Sequence, residues 1–136
     1  MVFSRITVVD MQLPASAGSS ADELRQRQVE VVVRDKDLII NFPEGQLLRL
    51  VDNLESGEPN YAELSLLLQE LKRRLQEKQA DRRNINLLLA ADTPYQKIIA
   101  TMDAIRSYQA VVAADVVDAE LFPDIAFGDA IEGERS

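Results

Sequence analysis

Residues 85–108, INLLLAADTPYQKIIATMDAIRSY, constrain the fold of this chain more than any other stretch. Ile85, Leu87, Leu88 and Leu89 form a near-continuous apolar run that stops at Ala90, the pattern of a central strand covered on both faces. Asp92, Thr93 and Pro94 then open an amphipathic segment. Thr93 is expected to cap the helix, Pro94 to take its first position, and Gln96 to complete a capping box. Tyr95, Ile98, Ile99, Met102 and Ile105 recur at helical spacing and predict its buried stripe. A closing strand is expected in residues 122–128, FPDIAFG, with Ile125 and Phe127 on one face and Pro123 at a strand start or sheet edge. The strand at 85–90, the helix at 94–107 and the strand at 124–128 together predict one right-handed parallel crossover.

Upstream, residues 28–34 (QVEVVVR) put Val29, Val31 and Val33 on one strand face, and residues 38–42 (LIINF) make a second strand. Asp35-Lys36-Asp37 between them is turn chemistry, so a β-hairpin is expected. Residues 46–52 (QLLRLVD) read equally as a third strand or as a short helix ending before Asn53. Asn60 is a good N-cap with Glu63 at the reciprocal position. Leu64, Leu67, Leu68, Leu71 and Leu75 follow at helical spacing, which predicts a helix over about residues 61–78. Residues 110–121 (AVVAADVVDAEL) read as a further helical turn or two. The expected fold is α+β: a two-layer sandwich, β-β-(β)-α-β-α-β, with two helices packed on one face of a small mixed sheet. In domain terms, residues 1–27 are a partly flexible linker, 28–128 the domain and 129–136 a polar tail.

Composition narrows the chemistry. At 136 residues one domain is the default. There is neither Cys nor His, which removes thiol chemistry, zinc fingers and Ser-His-Asp triads. The formal net charge of −8 disfavours phosphate backbones and anionic lipid, so nucleic acid is not an expected partner. Gly45, Gly57 and Gly128 form no phosphate-cradling pattern, and no calcium-loop spacing occurs. No cofactor and no metal site is expected, and an enzyme reading has no residues to name. No run of 18 or more apolar residues exists in the sequence, so no spanning helix is expected within it.

The order of elements and three local motifs resemble the periplasmic domain of the ExbD/TolR family of biopolymer-transport proteins. The motifs are Met11-Gln12-Leu13-Pro14, the turn Asp92, Pro94, Tyr95 after Leu88–Ala91, and the helical step Met102-Asp103-Ala104. The likeness spans most of residues 5–128, and the block from Asp92 to Ala104 is its most specific part. It departs from the family in the short Asp92-to-Pro94 spacing and in residues 43–58 and 108–121, which look like insertions. The family's membrane helix, with its proton-handling aspartate, is not in this sequence; Val2-Phe3-Ser4 resembles that helix's last turn. The resemblance implies a domain anchored in the bacterial inner membrane and working in the periplasm. It also implies homodimers, an ExbB/TolQ-like channel subunit, a TonB/TolA-like protein partner and, as a further option, peptidoglycan. Proton motive force would be coupled through such a complex to outer-membrane transport.

The site residues this implies are Val8, Leu13, Pro14, Asp92, Pro94 and Tyr95, all partner-binding and none catalytic. Each has a plainer reading. Pro94 and Tyr95 read first as a helix start signal and a core tyrosine, and only second as a partner-contact corner. Asp103 reads as a solvated or ion-paired carboxylate. Asp92 and Asp103 lie about three helical turns apart, roughly 16 Å, too far for one acid–base centre. Ile6–Val9 with Leu13-Pro14 is either a tethered strand that adds to a sheet edge or an unstructured tether. The competing function is a soluble α+β module that binds a small ligand or regulates; a hydrolase using Asp or Glu has the least support.

Overall fold

The computed structural model describes residues 21–129. A short helix α1 (Ala21–Gln26) leads into strands β1 (Glu30–Val33), β2 (Asp37–Asn41) and β3 (Leu47–Asp52). Helix α2 (Tyr61–Glu77), strand β4 (Asn84–Leu89) and helix α3 (Tyr95–Arg106) follow. Strands β5 (Ser107–Val112), β6 (Asp115–Glu120) and β7 (Asp124–Asp129) complete the described chain. Five strands form one mixed sheet in the order β3-β2-β1-β4-β7, and β5 and β6 form a separate two-stranded sheet. The expected α+β sandwich is thus observed. β1 runs antiparallel to β2 and parallel to β4, and β7 runs parallel to β4 with Ile85 opposite Ile125 and Leu87 opposite Phe127.

The core follows from the alternation of the strands. Val29, Val31, Val33, Leu38, Ile40, Phe42, Val51, Ile85 and Leu87 point to one face and are buried. The five leucines of α2 (64, 67, 68, 71 and 75) are buried in the same cluster. Each such leucine contributes about 1.5–3 kcal/mol by leaving water. Asn60 caps α2: its side-chain oxygen accepts from the Glu63 amide at 3.1 Å. The second half of the box differs in detail, because the Asn60 amide donates to the Glu63 carboxylate at 3.3 Å instead of the carboxylate reaching a backbone N–H.

Several expectations are corrected. Residues 47–52, open between strand and helix in the sequence, resolve as a strand, and Leu48 is the extra residue of a bulge opposite Ile40 and Asn41. β4 is an inner strand next to the edge strand β7 rather than the central one, and only one of its faces is sealed: Ile85 and Leu87 are buried, whereas Asn86 and Leu88 are half-buried. Residues 110–121 are not helical. They form the β5–β6 hairpin, with Val111 opposite Val116 and Ala110 opposite Val117. Four valines favour the strand conformation, where β-branched side chains pack freely on a pleated surface. The end of the expected linker is a docked helix: Leu24 of α1 is buried, and Arg82 donates to the Leu24 carbonyl at 2.7 Å. Asp129, expected in the tail, is the last residue of β7.

Candidate partner-binding site

The strand-to-helix turn after β4 is built by Thr93. Its hydroxyl donates to the Ala90 carbonyl at 2.7 Å and its amide donates to the same oxygen at 3.1 Å. The side chain that was expected to cap α3 therefore closes the turn instead. Pro94 is extended, with φ −63° and ψ 144°, and is itself the N-cap without a side-chain acceptor; Gln96 completes no box. The amides of Lys97 and Ile98 bond back to the Pro94 carbonyl at 3.0 and 3.1 Å. Lys97 then donates to the Arg34 carbonyl at 2.9 Å, which fixes the first turn of α3 over the end of β1.

The buried stripe of α3 is shifted from the expected one. Thr101 and Ile105 are fully buried, Ile98, Ile99 and Met102 are half-buried, and Tyr95 is 71% exposed. Thr101 satisfies its hydroxyl on the Lys97 carbonyl at 2.7 Å, so a polar residue is tolerated at the helix contact. Burial pushes the Tyr61 phenol up in pKa, partly offset by its hydrogen bond with Thr101; that contact joins α2 to α3. Tyr95 is consequently no core residue. It stands in water at the start of α3, next to exposed Pro94 and Asp92.

These three residues border the carboxyl ends of the parallel pair β4 and β7. A shallow hollow there is lined by Leu89, Ala90, Thr93, Ile98, Phe127 and Gly128. In open α/β layers the carboxyl ends of parallel strands are where ligands are usually met. Phe127 lies on the helix-facing side of β7 but is 56% exposed, because β7 is the last strand of the sheet and no strand pairs with its outer side among the described residues. Gly128 allows close packing: a Cβ there would stand 2.9 Å from Leu88 Cδ2. By its alternation the sequence puts Phe127 on one strand face with Ile125, as observed. Nothing in that alternation distinguishes an edge strand from an inner one.

Of the expected site residues, Asp92, Pro94 and Tyr95 lie together on this turn, whereas Val8, Leu13 and Pro14, with the Ile6–Val9 strand, fall outside the described residues. Asp103 is ion-paired with Arg106 at 2.8 Å on the exposed side of α3. Among the described residues, no group of three or more acidic, His or Cys side chains is arranged to hold a metal ion. No described helix is long and apolar enough to cross a membrane. Comparison with protein families, with curated proteins and with solved structures finds no match to this chain.

Proposed function

We propose that this chain is the periplasmic output domain of an ExbD/TolR-like energy transducer, acting as a homodimer with an ExbB/TolQ-like channel subunit. Its work is to bind a TonB/TolA-like protein by strand addition, so that proton motive force is delivered to outer-membrane transport. The observation that carries the reading is the outer edge of β7, which no strand covers among the described residues, flanked by exposed Phe127 and by the Asp92–Tyr95 turn. An extended segment paired to β7 gains main-chain hydrogen bonds, and alternate side chains meet Phe127 and the hollow beneath Thr93. The opposite edge is less suitable, because the bulge at Leu48 interrupts the regular ladder beside β3.

The motifs at Asp92–Ala104 supply the family part of the proposal, and the sheet edge supplies its mechanism. Peptidoglycan is a secondary candidate ligand, drawn from the family resemblance alone. The proposal is tested by isolating the protein expressed from its native gene. Recovery in the membrane fraction together with a channel subunit of the ExbB/TolQ type is the expected result. Recovery entirely as a free soluble protein overturns it and favours a small-ligand or regulatory module.

A further inference from the structure

The β5–β6 hairpin is unlike the rest of the surface. Its base is fixed: the amides of Leu121 and Phe122 bond to the carbonyls of Arg106 and Ile105 at 2.8 and 3.0 Å. Arg83 adds an ion pair to Glu120 at 2.5 Å and one to Asp124 at 3.5 Å. Its outer half is bare. Val111, Val112, Val116 and Val117 are 74, 57, 65 and 40% exposed. Cross-strand pairing puts Val111 and Val116 on one face, and Val112 and Val117 on the other, so the arm is apolar on both sides.

Such an arm lacks what a lone hairpin needs. Two strands alone are marginal in water. The turn does not compensate, since Ala113 and Ala114 both hold positive φ, 52° and 71°, where Asn-Gly is the favoured pair. A third strand would supply the missing hydrogen bonds, and the charges say on which side. β6 carries Asp115, Asp118 and Glu120, which guard its edge. β5, SYQAVV, has no charge, no proline and no glycine. Among the described residues β5 pairs with β6 alone.

We infer that β5 is a self-association edge, through which two copies join antiparallel into a four-stranded sheet in the order β6-β5-β5′-β6′. A twofold pairing through β5 brings no like charges together, whereas pairing through β6 would bring Asp115 and Asp118 of both copies together. This deepens the homodimer part of the proposed function and is separable from partner capture at β7. Four partly exposed valines per copy cannot cover the roughly 800 Å² a side of a standard interface, so the dimer is weak and reversible in dilute solution.

The test uses the whole chain, which has no cysteine of its own. Single cysteines are placed at Gln109, Ala110, Val111 and Val112 of β5, and at Val116 and Val117 of β6, and oxidised. Disulfide dimers are expected from the β5 position nearest the twofold axis and not from the β6 positions, since the bond requires Cβ atoms about 4 Å apart. Sedimentation equilibrium should show a reversible dimer that Val111→Glu weakens by tenfold or more (about 1.4 kcal/mol) with an unchanged circular dichroism spectrum. The same change at Val116 should weaken it far less. A monomer at every concentration, cross-links through β6, or equal sensitivity at Val111 and Val116 overturns the inference. Partner binding by the Val111→Glu chain, measured separately, tells failure of the dimer from failure of the β7 reading.

Discussion

Arg82 lies over Phe42, its guanidinium 5.4 Å from the ring centroid, and donates from the same group to the backbone carbonyls of Leu24 and Arg27. One side chain thereby seals the end of the core and pins α1 to it. The cation sits within cation–π range of the aromatic face while its fork of donors satisfies carbonyls at the C-terminal end of a short helix. Replacing Arg82 with Met keeps much of the apolar stem and removes the donors. A loss of about 1–3 kcal/mol is expected in denaturant unfolding. Hydrogen exchange at residues 24–28 should quicken before the rest of the sheet opens.

Leu68 sits in the middle of the α2 stripe with no solvent exposure. Leu68→Ala should cost about 2–5 kcal/mol through lost transfer energy and an incompletely closed cavity. Leu66, on the same helix but 49% exposed, should cost well under half as much when truncated. Equal losses at the two sites would contradict the packing described for α2.

Two carboxylates of α2 should titrate in opposite senses. The hydrogen bond from Arg73, with a second from Arg74, holds Glu70 below the usual carboxylate range despite partial burial. Its contribution to stability is present above its unfolded pKa and is lost as pH falls through the lowered folded value. Burial, with the charge of Asp52 nearby, raises Glu63. The advantage it gives is present below its unfolded pKa and is lost as pH rises through the folded one. Thermal melts across acidic and neutral pH should therefore show Glu70→Gln lowering Tm at neutral pH, with the difference fading in acid. Glu63→Gln should raise Tm at neutral pH and give no gain in acid.

The turn of the arm offers a gain in stability. Ala114 at φ 71° sits in the left-handed region, which disfavours any residue with a Cβ by about 1–2 kcal/mol. Ala114→Gly relieves that strain and is expected to stabilise the hairpin by about 1 kcal/mol after the entropy of the more flexible residue is counted. Slower amide exchange in β5 and β6 is the readout, with the main-sheet amides unchanged.

These elements differ in how legible they were in the sequence. The α2 stripe was plain because five leucines at helical spacing behind Asn60 admit one face and one start. The β1–β2 hairpin was plain because Val29, Val31 and Val33 alternate in burial as they alternate in sequence. The helix start near Pro94 was legible, but its cap was not, because Thr93 has two uses for one hydroxyl, and a turn back to Ala90 competes with a cap. Tyr95 was misassigned for a related reason: the first residue of a helix can continue a stripe in spacing and still project beyond the layer it packs on. The β5–β6 arm was hidden because Ala, Asp and Glu dilute the valine pattern, and Ala113-Ala114 lacks the Asn-Gly turn signal. The exposure of Phe127 was not legible because alternation records a face but not whether a further strand lies beyond it.

The proposed capture of an extended segment of a TonB- or TolA-like protein at the outer edge of β7 can be followed residue by residue. It is tested most directly by titrating the isotope-labelled chain with the periplasmic segment of such a protein from the same organism and following backbone amides by NMR. The account predicts saturable shifts concentrated at residues 124–129 and 93–98, protection of the outward-facing β7 amides from exchange, and loss of binding in Phe127→Lys. Saturable binding that leaves β7 and the Thr93 turn unmoved, or no binding at any concentration of the segment, would contradict it.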